Sequence, residues 1–278
     1  APRHNDLYAD EAFPPPPHGT HKETFAGKPE WQRKKVFGFD WVNHVPIPET
    51  LPMQEWPIKE EKFMDMLRCI KAVDESLGTV LNTLKEEGEL DNTVVIFSSD
   101  NGYFMGEHTY HDKRIAYESS MRIPMLMRYP QKIKPGTVLD QLCLNIDMAP
   151  TILELAGLQV PGHIQGQSMV PLFAKEGATD WRDAIMFEYY VDDAYPYAGP
   201  DMLAIRTDGF KLVDNFLEDD IDELYNLKKD PGEMVNLINN TGYEDIEAQL
   251  RRKLAGLRKK YDYNPDRDWW LRKVLENE

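Results

Sequence analysis

The stretch from Phe63 to Gly102 restricts the fold more than any other part of the chain. Phe63, Met66, Leu67, Ile70, Val73, Leu77, Val80, Leu81 and Leu84 recur at intervals of three and four. That spacing puts them on one face of an α-helix, so an amphipathic helix of roughly 25 residues is expected. Gly88 suits its C-terminal stop. After the turn Asp91-Asn92 comes Thr93-Val94-Val95-Ile96-Phe97, which has no polar alternation. Such a run marks a strand buried on both faces, as in a parallel sheet. Helix, turn and buried strand together make one α/β unit.

Residues 1–60 carry Pro14 to Pro17, Pro46, Pro48, Pro52 and Pro57 among the aromatics Phe13, Phe25, Trp31, Phe37 and Trp41. Proline at that density blocks helix and central strand, so an irregular segment wrapped on a surface is expected. Downstream, Ile123 to Tyr129 reads as a strand near a sheet edge, bounded by Pro124 and Pro130. Asp147 can cap a helix from Met148 to Ala156, with Pro150 in its first turn and Gly157 at its end. The small, polar residues from Pro171 to Asp180 suggest a boundary, dividing the chain into residues 1–178 and 179–278. Beyond it, Ala184–Tyr190, Met202–Arg206 and Phe210–Val213 read as strands, the last two joined by a hairpin at Thr207-Asp208-Gly209. A helix from about Tyr243 to Tyr261 carries Ile246, Leu250, Leu254 and Leu257 on one face. The fold class is α/β, with a smaller α+β part made of an antiparallel sheet covered by a terminal helix.

With 48 acids against 32 bases the formal net charge is −16. A phosphate backbone would meet a repulsive field, so nonspecific nucleic-acid binding is not expected. No apolar run approaches the ~20 residues that span a bilayer. Cys69 and Cys143 lack a CxxC partner, which excludes zinc and thioredoxin-type chemistry and leaves buried free thiols as the expectation. The acidic run Glu218-Asp219-Asp220-Ile221-Asp222-Glu223 lacks an EF-hand pattern and reads as a solvated turn.

Ligand sites of open α/β sheets lie beyond the carboxyl ends of strands. Here that position holds Ser98-Ser99-Asp100-Asn101-Gly102. Asp100 offers a carboxylate and Asn101 an amide oxygen, hard ligands suited to Ca²⁺ or Mg²⁺. Gly102 would permit the tight turn that aims both at one point. Taken by itself, Asp-Asn-Gly is equally an ordinary turn. The context adds weight: Gly106-Glu107-His108, His111, Asp112, Lys113 and Tyr117-Glu118 follow closely. A cation, a histidine and a lysine above one strand end suit an oxyanion of high charge density, as in sulfuryl or phosphoryl transfer.

The run from Val94 to His108, then Asp112-Lys113-Arg114, Tyr117-Glu118 and Arg122-Ile123-Pro124, resembles the sulfatase family of the alkaline phosphatase superfamily. Asn145 to Gly157, with its Asp-x-x-Pro-Thr helix, resembles the same enzymes. So do Arg206 to Lys211, Glu223 to Leu227 and Asp230 to Glu233. The resemblance implies that Asp100 and Asn101 bind a divalent cation, usually Ca²⁺, that Lys113 binds the sulfate group, and that His108 approaches the sulfate or the sugar. His111 has no role in it and is expected to face solvent. It implies a sulfated carbohydrate as substrate, with the aromatic stretch Tyr189, Tyr190, Tyr195 and Tyr197 and the carboxylates Asp192 and Asp193 bordering the pocket. A periplasmic or secreted location is implied as well.

Sulfatases use a formylglycine made in a Cys/Ser-x-Pro-x-Arg motif, and this sequence contains none. The chain therefore resembles the C-terminal portion of such an enzyme, including the C-terminal part of its sheet. An N-terminal part would be its partner, supplying formylglycine and the remaining cation ligands. The chain alone is expected to be inactive. Two alternatives stay open: a phosphonate or phosphate ester hydrolase of the same superfamily, and a non-catalytic module that binds sulfated carbohydrate.

Overall fold

The computed structural model describes residues 1–12, 27–35, 39–40, 45–46, 60–173, 180–190, 200–216 and 220–264. The proline run Pro14 to Pro17, Trp41, Tyr195 and Tyr197 lie outside these, as do Asp192 and Asp193. Within the opening segment the chain forms a 3-10 turn at Pro2–His4, helix α1 (Glu30–Lys35) and a small ladder of β1 (Phe39–Asp40) with β2 (Val45–Pro46). Helix α1 departs from the irregular path expected here. Its start is capped from far away in sequence: the Asp220 carboxylate accepts the Glu30 and Trp31 N–H groups at 2.7 and 2.9 Å.

Helix α2 (Glu60–Glu86) matches the periodic segment. Its end is a Schellman turn: Gly88 takes φ +75°, its N–H donates to the Lys85 carbonyl, and the Glu89 N–H reaches back to Leu84 at 2.8 Å. The apolar stripe is only partly covered, however. Met64 is buried, whereas Ile70, Val73 and Val80 are exposed by half or more.

Strand β3 (Val95–Ser98) follows as expected, but its pairing differs. Its partner among the described residues is β6 (Met125–Arg128), and the two run antiparallel with Val95 opposite Arg128 and Ser98 opposite Met125. All four β3 residues are half-buried rather than enclosed, and Leu126 on β6 is 64% exposed. The continuous apolar run records a strand made to be covered on two faces; a two-stranded ladder leaves much of that surface open.

The second sheet is complete enough to stand on its own core. Strands β7 (Ala184–Tyr189), β8 (Met202–Thr207), β9 (Phe210–Asp214) and β10 (Glu223–Asn226) form an antiparallel meander in the order β10-β9-β8-β7. Helix α5 (Glu244–Lys260) lies on one face, where Leu250 and Leu254 join Leu203, Ile205, Leu212 and Leu224. Burying each such side chain contributes roughly 1.5–3 kcal/mol. Its first turn carries Glu244, Asp245 and Glu247 and its last Arg258, Lys259 and Lys260, the charge order that the helix dipole favours. The opposite face of the sheet meets the first part of the chain: Met202, Ala204, Val213 and Tyr225 share one core cluster with Trp31, Phe104, Ile115 and Tyr117.

Three expectations need correction. Glu223 is not in a solvated turn: it is 1% exposed within β10, and Asp222 pairs with Arg251. Cys69 is exposed on α2, as are its neighbours on that helix such as Ile70 and Val73; Cys143 is half-buried, and burial pushes its thiol up. Asp147 precedes α4 (Met148–Leu155) but gives it no side-chain cap. Its carboxylate instead accepts the Leu144 and Gln167 N–H groups at 2.7 and 2.8 Å and the Arg182 guanidinium, inside a fully buried site.

Candidate active site

The carboxyl end of β3 runs directly into Ser99, Asp100 and Asn101. The Asp100 Oδ1 accepts the Asn101 N–H at 2.9 Å, which orients the carboxylate, and the Asn101 Nδ2 donates to the Gly102 carbonyl at 2.6 Å. Within the described residues the Asp100 Oδ2 and the Asn101 Oδ1 accept no hydrogen bond. Two uncommitted hard oxygens on adjacent residues, Asp100 being exposed, fit part of the coordination shell of Ca²⁺ or Mg²⁺. Among the described residues no group of three or more His, Cys, Asp or Glu is placed to hold a metal ion; Asp100 and Asn101 are two candidate oxygens.

Gly102 is required for a reason other than a sharp turn. A Cβ there would lie 2.2 Å from the Ser119 carbonyl oxygen and 2.8 Å from that of Arg122. The close approach lets the Gly102 N–H donate to the Ser120 carbonyl at 2.8 Å, tying the ligand turn to helix α3 (Glu118–Met121). Gly102→Ala should therefore push these backbones apart and cost about 1–3 kcal/mol, read as a lowered midpoint in urea unfolding.

Asp100 and Asn101 open onto a cleft of about 1940 Å³. Its walls include Glu118 and Arg122 from the first part of the chain, and Arg206 and Asp208 from the second sheet. Arg206 reaches across to Glu118 at 3.2 Å, so both halves of the chain meet at the cleft.

The loop bearing His108 and Lys113 is held by the ladder of β4 (Phe104–Met105) and β5 (His111–Asp112), pairing Phe104 with Asp112. His108 is buried at 3% exposure and takes φ 53°; its ring lies 4.3 Å from that of Tyr117 and edge-on to Phe104. Lys113 is exposed, between Asp112 and Arg114, which take φ 82° and 102° and pair with each other. Backbone strain on both sides of one lysine costs on the order of 1–3 kcal/mol per residue. Neither His108 nor Lys113 lines the cleft that Asp100 and Asn101 share. The His111 side chain lies outside what is described.

A buried polar assembly was not legible in the sequence. Lys28, with no exposed surface, donates to Tyr225 Oη at 2.6 Å, to Tyr117 Oη at 3.0 Å and to the Glu233 carbonyl. The Glu223 Oε2 accepts Tyr117 Oη at 2.6 Å, Gln32 Nε2 at 2.9 Å and Tyr225 Oη. Beside it, Lys211 pairs with Glu233 at 2.6 Å and with Glu118 at 3.0 Å. Burial brings the Lys28 ammonium down to about 8 despite Glu223 and Glu233. It also pushes Glu233 up. Glu118, pushed up by burial, is held below its ordinary value by Lys211 and Arg206. The one signal was the pattern Glu223-Leu224-Tyr225-Asn226, strand-like yet attached to an acidic run.

A chain of this fold, with Asp100 and Asn101 at the end of β3, belongs to the sulfatase family: the Sulfatase family model matches residues 13–158. The model for the N-sulphoglucosamine sulphohydrolase C-terminal region matches residues 106–260. The N-acetylglucosamine-6-O-sulfatase of Bacteroides thetaiotaomicron is 41% identical over 214 residues, 75% of this chain and 38% of that protein. The arylsulfatase of Clostridium perfringens is 30% identical over 244 residues, 78% of this chain and 49% of that protein. The chain thus spans less than half the length of either relative. The structure of BT4656 in complex with its substrate D-glucosamine-2-N,6-O-disulfate superposes with TM-score 0.79 at 30% identity, covering 95% of this chain and 63% of that one. The phosphonate monoester hydrolase of Agrobacterium radiobacter superposes with TM-score 0.74, covering 92% of this chain and 54% of that one, and at 23% identity shares the fold alone. The fold is α/β, with the alkaline-phosphatase-like architecture of this family.

Proposed function

We propose that this chain carries the cation-binding and sulfate-binding half of a sulfatase that hydrolyses sulfate esters of amino sugars, the rest of the site coming from an N-terminal part of the same enzyme. One observation carries the reading: Asp100 and Asn101 present two uncommitted oxygens to a cleft walled by both halves of the chain. The glucosamine sulfates named for two relatives give the substrate class. When bound, Ca²⁺ or Mg²⁺ would neutralise sulfate oxygens, and a formylglycine from the N-terminal part would supply the nucleophile.

The residues of this chain have separable tasks. Asp100 and Asn101 hold the cation, and in a chain of net charge −16 that cation is what draws an anionic ester inward. Lys113, exposed on its loop outside the walls of this cleft, would donate a charged hydrogen bond to a sulfate held between this chain and the N-terminal part. His108, packed on Tyr117, steadies the loop and is the second donor candidate toward the sulfate or the sugar. The N-terminal part would also cover Ile70, Val73, Val80 and Leu126, apolar side chains now exposed. No helix among the described residues is long and apolar enough to cross a membrane; a periplasmic or secreted enzyme suits a polysaccharide-derived substrate.

The test is hydrolysis by the full-length protein of glucosamine 6-sulfate, N-sulfated glucosamine, an aryl sulfate and a phosphonate monoester. Activity should be highest on the 6-O-sulfated amino sugar, vanish with chelator and return with Ca²⁺. The isolated 278-residue chain should show no turnover. Preference for the phosphonate monoester would overturn the proposal.

A further inference from the structure

We propose that Lys28 is a positioning residue for the Lys113 loop: its buried ammonium fixes Tyr117, and Tyr117 fixes the segment 104–118. The inference rests on the functional reading above only for its kinetic consequences.

The three protons of the ammonium have three acceptors: Tyr117 Oη, Tyr225 Oη and the Glu233 carbonyl. The same ammonium lies 4.7 and 4.3 Å from the centres of the two tyrosine rings. Glu223 closes the assembly by accepting both tyrosine hydroxyls and the Gln32 amide. These partners come from three distant stretches of chain: the turn before α1, the loop ending at Tyr117, and the second sheet with its 230s loop. Lys28, in the first of these stretches, donates to both of the others.

An apolar cluster could have joined these stretches at lower desolvation cost. What the polar assembly adds is direction, since hydrogen bonds fix a phenol along its ring axis as packing does not. Tyr117 uses both of its ends. Its hydroxyl sits among Lys28, Glu223 and Gln32, while its ring contacts His108 and Phe104 at 4.3 and 6.2 Å. Phe104 is paired with Asp112, next to Lys113. On the other side, the Glu118 N–H donates to Glu233 Oε2 at 2.7 Å, and the Glu118 carboxylate meets Lys211 and Arg206. Lys28, Lys211 and Arg206 face Glu223, Glu233 and Glu118, with Asp230 a further carboxylate acting on Lys28. The strained backbone at Asp112 and Arg114 needs such an anchor. Without one, the loop would relax and carry Lys113 out of register.

The test uses the full-length protein with Lys28→Met, and with Lys28→Met combined with Glu223→Gln to remove one buried charge of each sign. Hydrogen exchange over residues 104–118 should rise by about tenfold while the β8 and β9 amides keep their protection. Turnover of a sulfated glucosamine, per folded molecule and well below the unfolding temperature, should fall by about tenfold in kcat with KM little changed. Should neither variant fold, Tyr117→Phe removes only the hydroxyl that Lys28 holds and should give the same pattern. Unchanged exchange in 104–118 would overturn the proposal. So would raised exchange with kcat at the wild-type level, because the assembly would then be merely structural. If the wild-type protein hydrolyses no sulfate ester, the functional reading fails and the exchange data alone decide the positioning role.

Discussion

Asp100→Ala should reduce turnover of a sulfated amino sugar by about 10²–10³-fold or more, the scale seen when one preorganised charge-stabilising group is removed. The expectation follows from what the carboxylate does and does not bond. Its Oδ1 is fixed by the Asn101 N–H at 2.9 Å, with Ser99 Oγ further off at 3.4 Å, so the group arrives oriented. Its Oδ2 is uncommitted within the described residues. Asn101→Ala removes an uncharged oxygen from the proposed cation site and should cost less than Asp100→Ala. Lys113→Ala leaves Asp100 and Asn101 alone, so it should lower turnover without changing the Ca²⁺ concentration needed. Steady-state kinetics across a Ca²⁺ titration separate the cases. An Asp100→Ala enzyme with the wild-type calcium requirement would remove Asp100 from the cation site.

The elements that were legible in the sequence are those whose signal is local. Helices α2 and α5 announced themselves by three- and four-residue spacing, and the β8–β9 hairpin by Thr207-Asp208-Gly209 between apolar runs. The candidate ligands Asp100 and Asn101 were visible for the same reason: they are adjacent and sit where a strand ends. What escaped was long-range. Lys28 lies in a proline-rich stretch with no periodicity, and its partners Tyr117 and Tyr225 are 89 and 197 residues away. Glu223 looked solvated because an acidic run ordinarily is; three donors converging on one oxygen make its burial tolerable. Gly102 in Asp-Asn-Gly suggests a conformational glycine, yet its constraint is the carbonyl of Ser119, seventeen positions on. Asp147 was placed at the right helix, but its function depends on Arg182, in a segment that local rules cannot connect to it.

That last pair carries the largest stability prediction. Asp147→Ala should destabilise the protein by about 3–5 kcal/mol, because it strands a guanidinium that is only 12% exposed along with the Leu144 and Gln167 N–H groups. At roughly 2–4 °C per kcal/mol for a protein of this size class, the melting temperature should fall by about 6–20 °C. The two parts of the chain are joined here: Asp147 begins α4, Gln167 lies beyond it, and Arg182 precedes β7 while donating to the Leu142 carbonyl at 3.1 Å. Gly166 has no room for a side chain, since a Cβ would stand 2.0 Å from the Ile146 carbonyl oxygen, so the surrounding backbone has little freedom to collapse into the gap. Combining Asp147→Ala with Arg182→Met removes both charges and should cost less than the sum of the single changes, by about 0.5–3 kcal/mol in a double-mutant cycle. Additive effects would mean that the two side chains act independently. At temperatures where Asp147→Ala stays folded, its kcat should fall far less than that of Asp100→Ala: Asp147 bonds neither Asp100 nor Asn101 and acts on the cleft only through Arg182, which lines it.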